Sequence, residues 1–138
     1  MATILGINVW SMLVATLAQM AVGMLWYGPL FGKSWMHMMG FTAKTMKKMQ
    51  LSAQKAMLLG LLSTLVATYV LANFVNLLGI TTYVGAFQLT IWAWLGFCMT
   101  MNLGDYLWAN KPFKMVLINS SYRLVALFVG IVILAYWH

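Results

Sequence analysis

Residues 53–78 read AQKAMLLGLLSTLVATYVLANFVNLL. One charge, Lys55, stands near the start, and no other interrupts the run. A helix crossing lipid hydrocarbon needs ~20 apolar residues at ~1.5 Å rise each, so this stretch is long enough to span a bilayer. Outward from it, three more runs of the same character lie at about residues 4–27, 83–108 and 113–137. The chain, residues 1–138, therefore reads as one all-α transmembrane domain. It is a bundle of four spans, with a short interfacial amphipathic segment in the first loop.

Composition supports lipid as the solvent. Hydrophobic residues make up 64% and charged residues only 7%, with mean hydropathy +0.89. A soluble domain carries roughly a quarter charged residues, so this chain cannot clothe a water-facing surface. Eight basic residues face a single acid. In a soluble protein that excess would suggest nucleic acid, but no basic run is interleaved with aromatics here, and no nucleic-acid partner is expected. All the lysines lie in loops 1 and 3 or at their edges. The positive-inside rule then places those loops in the cytoplasm and both termini outside it. The N-terminus lacks a basic leader region and reads as an uncleaved first helix. The single cysteine, Cys98, excludes an internal disulfide.

Gly28-Pro29 is expected to stop helix 1, because proline lacks an N–H and disfavours helix before it. Loop 1 follows, with Lys33, Trp35, Lys44, Lys47 and Lys48 as its lipid-facing basic and aromatic residues. Thr42 is a plausible N-cap for a short helix from Ala43. There Met46 and Met49 fall on one side and the lysines on the other. That pattern suits a segment lying against anionic lipid headgroups. A methionine-rich docking surface is the alternative.

Small or hydrogen-bonding residues recur every four positions on three helices. They are Ser11, Ala15, Gln19 and Gly23; Ala56, Gly60, Thr64, Thr68, Ala72 and Asn76; and Gly96, Thr100 and Gly104. Such stripes let helices approach closely in a membrane.

The sole acid, Asp105, and the sole arginine, Arg123, flank a polar hinge, Ala109-Asn110-Lys111-Pro112. A charge at depth in lipid costs at least ~2.5–3.5 kcal/mol, so each needs a partner. Asn102 shares a helix face with Asp105, and Asn119 shares one with Arg123. The expectation is an intramembrane polar cluster of Asn102, Asp105, Asn119 and Arg123. A bidentate Asp105–Arg123 pair would clamp helices 3 and 4 together. The competing reading makes the cluster a solute or ion site. No nucleophile–base pair, glycine-rich phosphate loop or metal-ligand cluster is visible. His37 and His138 fall on opposite sides of the membrane, and Trp92 and Trp94 read as packing bulk. Neither enzymatic activity nor a cofactor is expected.

Two stretches carry a family resemblance. Trp26-Tyr27-Gly28-Pro29-Leu30-Phe31-Gly32-Lys33-Ser34-Trp35-Met36 resembles the WYxPxxFGKxWM signature of a family of small, mostly bacterial membrane proteins of unknown function. Asn102–Asn110 and Lys114–Tyr122 are similar to that family's helix-3 exit and helix-4 entry. The resemblance implies a four-helix domain in a bacterial inner membrane, with no established activity. Members often carry acids after the glycine near Gly40, where this chain has Phe41-Thr42-Ala43-Lys44. The function expected from the residues is a scaffold or accessory subunit, packing as a homo-oligomer or in a larger membrane complex. The alternative is a small transporter or channel built on the Asp105/Arg123 cluster, and lipid binding against Trp92 or Trp94 is a third.

Overall fold

The computed structural model describes Thr3, Ile4 and residues 6–137. His138 and the side chain of Met46 fall outside the described residues. Four helices are long and apolar enough to cross a membrane: span 1 (Val9–Leu30), span 2 (Ala53–Leu78), span 3 (Tyr83–Leu107) and span 4 (Phe113–Tyr136). The all-α reading holds, with three local departures.

The first is at the N-terminus. Helix α1 (Val9–Leu25) begins at Asn8 rather than near Ile4. The Asn8 Oδ1 accepts from the N–H groups of Trp10 and Ser11, satisfying donors that a helix start leaves orphaned. Ahead of it, β1 (Thr3–Ile4) and β2 (Ile7–Asn8) pair as a minimal antiparallel hairpin, turned at Gly6 with φ +84°.

The second departure is at Pro29. Rather than stopping span 1, Gly28-Pro29 sits inside a widened π turn, Trp26–Leu30, in which the Phe31 N–H reaches back to the Trp26 carbonyl at 2.9 Å. The bond that closes the wider turn comes from Phe31 and so needs no N–H from Pro29. Helix α2 (Gly32–Met39) follows and closes at Gly40 in the left-handed region, φ +73°. Helix α3 (Ala43–Met46) forms where expected, with Thr42 and Thr45 in a reciprocal capping box. Lys33, Lys44, Lys47 and Lys48 are exposed.

The third departure is in span 3. Helix α4 (Ala53–Leu78) is the uninterrupted span 2, but span 3 comprises α5 (Tyr83–Ala93), a π segment (Trp94–Met99) and α6 (Thr100–Leu107). Helix α7 (Phe113–Tyr136) is span 4.

Spans 1, 2 and 4 contact one another, while span 3 packs chiefly against span 4. The core reflects this arrangement. Ser11, Ala15, Thr16 and Gln19 of span 1, Thr68, Ala72 and Val75 of span 2, and Ala126, Gly130 and Ile131 of span 4 are buried. The stripe of span 1 and the middle of the span 2 stripe, Thr68 and Ala72, thus act as seams, while Ala56 and Asn76 at its ends are exposed. The third does not: Gly96 and Thr100 are exposed, and the Thr100 hydroxyl bonds back to the Gly96 carbonyl at 2.7 Å. Span 3 instead docks through buried Ala86 and Thr90. The Tyr83 N–H donates to Tyr136 Oη at 3.1 Å, and Phe87 meets Phe128 edge-on. Trp92, expected inside, is exposed.

Candidate functional site

Because span 3 rests on span 4, it leaves a cleft on each side. The cleft towards span 2 is an apolar groove of about 700 Å³ that includes Phe74, Leu89, Trp92, Phe97 and Cys98. The cleft towards span 1 is polar, about 350 Å³, and lined by Tyr27, Trp35, Asn102, Asn119 and Arg123. Five residues from four segments converge there.

The π turn of span 1 builds one wall. Tyr27 Oη donates to Asn119 Oδ1 at 2.6 Å, and the Trp26 indole N–H donates to Ser121 Oγ at 3.0 Å. The Tyr27 ring stands edge-on to Tyr122 (5.3 Å) and to Trp35 (5.6 Å), and Trp35 in turn packs on Phe41 (5.4 Å). Trp35 is therefore a half-buried wall of the cavity. Gly32 makes this fold-back possible. A Cβ there would lie 2.5 Å from the Tyr27 carbonyl oxygen, so only glycine lets α2 start against the π turn.

Span 3 supplies the opposite wall. Its π segment brings the Trp94 indole N–H onto the Ser120 carbonyl at 2.7 Å, and Asn102 Nδ2 donates to Ser120 Oγ at 3.3 Å. The Asn119-Ser120-Ser121-Tyr122 run of span 4 is thus gripped from both sides.

Arg123 lies exposed in the cavity, its guanidinium carbon 5.1 Å from the Tyr122 ring centroid. The face of the Tyr122 ring is thus its cation–π partner. The expected fork with Asp105 is absent among the described residues, and Asp105 does not line the cavity. The reason is depth. Asp105 is two residues from the end of α6, ~3 Å in at 1.5 Å per residue, whereas Arg123 is ten residues into α7, ~15 Å in. A side chain reaching several ångström towards the interface does not close that gap. Asp105 lies instead beside the loop 3 turn, where its carbonyl accepts from the Lys111 N–H at 3.0 Å. Asn102, Asn119 and Arg123 come together as expected, but without the acid.

Residue reading gave Tyr27 no part in the site and counted Trp35 among the lipid-facing residues of loop 1, whereas both line the cavity. It missed a second chamber too. Gln19, Ser63, Thr64, Tyr122 and Arg123 are among the residues lining a cavity of about 240 Å³ between spans 1, 2 and 4. At its floor Gln19 Nε2 donates to Thr68 Oγ1 at 2.8 Å and to the Ala15 carbonyl at 3.1 Å. No cluster of three metal-ligating side chains occurs among the described residues.

Residues 10–135, which hold both the π turn and the gripped run of span 4, match the family described as Protein of unknown function (DUF1761). The chain belongs to the DUF1761 family. Neither a curated protein nor a solved structure matches it. Four apolar spans make this DUF1761 protein a multi-pass membrane protein. In this chain the two stretches that carry the family resemblance are the two that meet around Arg123.

Proposed function

We propose that the chain is a non-enzymatic membrane protein that takes up a small oxyanion, as a free solute or a lipid headgroup, in the Arg123 cavity. The observation that carries this reading is the guanidinium of Arg123, exposed in a cavity with no carboxylate against it. An intramembrane cation without its counter-ion marks a site that a ligand charge completes. Arginine presents a planar fork of donors suited to carboxylate or phosphate oxygens. The amides of Asn102 and Asn119 and the Tyr27 phenol are polar groups that can orient such a ligand. A volume of about 350 Å³ suits a small solute. Without an internal acid to discharge Arg123, solute handling is favoured over a purely structural lock.

Titration calorimetry in zwitterionic nanodiscs, with inorganic phosphate or acetate at fixed ionic strength, tests the reading. Saturable heat that disappears in Arg123→Gln supports it. Competition by phosphatidylglycerol in the disc would identify the headgroup as the natural source. Identical titrations for wild type and Arg123→Gln defeat it.

A second reading, a scaffold subunit in a homo-oligomer or larger complex, is favoured by span 3. Only 11% of its most apolar window is buried, against 33% for span 4. The lysines of loops 1 and 3 favour a cytoplasmic position for those loops, with both termini on the other side. They also favour contact with anionic headgroups.

A further inference from the structure

We infer that the anion held at Arg123 is the carboxylate of a long-chain fatty acid whose chain lies in the apolar groove between spans 2 and 3. This inference rests on reading the Arg123 cavity as an anion site and names the ligand that fills it. Arg123 lines the polar cavity and also the chamber between spans 1, 2 and 4. Ala67 of span 2 lines that chamber and also the groove. The other two helices make the same transition. Leu127 lines the groove four residues, about one turn, beyond Arg123, and Cys98 lines it four residues before Asn102. The charge of the guanidinium is felt at the Cys98 thiol. Arg123 and Ala67 are exposed and Cys98 and Leu127 half-buried, so the junction is open groove rather than packed core.

The groove matches one acyl chain in length. Along span 2 it runs from Ala67 to Leu78, ~16 Å at 1.5 Å per residue, which is about half of a ~30 Å hydrocarbon core. Trp92 and Phe97 stand exposed on its span 3 wall, so it opens to the bilayer and a chain can enter sideways. At the Arg123 end the guanidinium fork suits a carboxylate, and the Ser63 and Thr64 hydroxyls of the chamber border the same group.

Any groove that faces lipid holds acyl chains. A cation at the end of this one selects a chain that carries an anion. Arg123 is ~15 Å into α7, near the middle of the bilayer. A fatty acid brings a lone carboxylate to that depth on one chain, whereas a phospholipid must bring its glycerol and second chain as well. A second copy of this protein would fill the apolar length but not the charge. Its sole acid, Asp105, lies two residues from the end of α6.

The test uses the full chain in zwitterionic nanodiscs, photolabelled with palmitic acid bearing a mid-chain diazirine and mapped by mass spectrometry. Adducts are expected to concentrate on the groove wall, at Phe74, Leu89 and Leu127. They should fall about tenfold with the methyl ester of the probe, and equally in Arg123→Gln, the change that losing a charge-assisted hydrogen bond produces. Ala93→Trp fills the groove away from Arg123, and should erase the difference between acid and ester while leaving the Arg123-dependent heat of acetate binding. The ester comparison uses wild-type protein and so decides the matter even where a variant folds poorly. If acid and ester label the groove equally while acetate still binds through Arg123, the chain site falls and the anion site stands. If they label equally and acetate binding is absent or unchanged in Arg123→Gln, both fall. Displacement of the probe by unlabelled phosphatidylglycerol but not by unlabelled palmitate overturns the fatty acid as occupant.

Discussion

Asp105 and Arg123 are each unique in the chain, and a matched acid and base first suggest a lock. Depth decides otherwise. Asp105 is half-buried beside a polar turn, whereas Arg123 is far inside span 4 and faces a cavity. Asp105→Asn should therefore shift stability by less than ~0.5 kcal/mol, as substitutions away from a buried network do. Loss of several kcal/mol in a detergent melt would reinstate the lock. Tyr27→Phe removes the 2.6 Å bond to Asn119 and should cost about 0.6–1.7 kcal/mol, the range for hydrogen bonds between membrane helices, in the same measurement. Gln19 and Gly130 form a volume-matched pair. Gly130→Ala alone should destabilise by about 1–3 kcal/mol through overpacking against Gln19. Adding Gln19→Ala should recover part of that loss, a coupling that a double-mutant cycle reads directly.

At the scale of elements, hydropathy located the four spans within a few residues, because an apolar run of spanning length has few other places to go. Thr42 and the chain's Ser52 and Thr82 also start helices as their side chains favour. The two π segments were not legible. They are changes of hydrogen-bond register, and hydropathy carries no record of register. Their consequences were hidden with them. The exposed stripe at Gly96 and Thr100, and Trp94 reaching Ser120, accompany the wide turns of span 3. The Tyr27–Asn119 contact joins residues 92 apart, a separation that no local pattern reports. The uncommonly polar run Asn119-Ser120-Ser121 inside an apolar helix was the available signal that something must meet it. Gly32 gives this scale its own test. Gly32→Ala must push α2 off the Tyr27 carbonyl and move Trp35 away from the cavity. A destabilisation of about 1–3 kcal/mol together with a weakened anion response is the expected outcome, read by a detergent melt and by anion titration.

As a whole molecule, the bundle is three helices in mutual contact with a fourth laid across span 4. That asymmetry produces one polar and one apolar cleft from four apolar spans. The same asymmetry leaves span 3 the least buried of the four, the feature on which the scaffold reading rests. Native mass spectrometry from nanodiscs showing monomer alone, with no retained protein, would count against the scaffold reading and leave the anion site untouched. The central claim is that Arg123 is a cation with no carboxylate against it in a water-reachable cavity, and charge-selective labelling tests it most directly. In Cys98→Ala protein, Asn102→Cys should react about tenfold faster with a sulfonate-bearing thiol reagent than with its trimethylammonium analogue, scaled to each reagent's rate on free thiol, because a charge in a low-dielectric cleft concentrates its counter-ion. That preference should vanish in Arg123→Gln and survive Asp105→Asn. An unreactive Asn102→Cys, or a charge preference that Arg123→Gln leaves unchanged, would contradict the account.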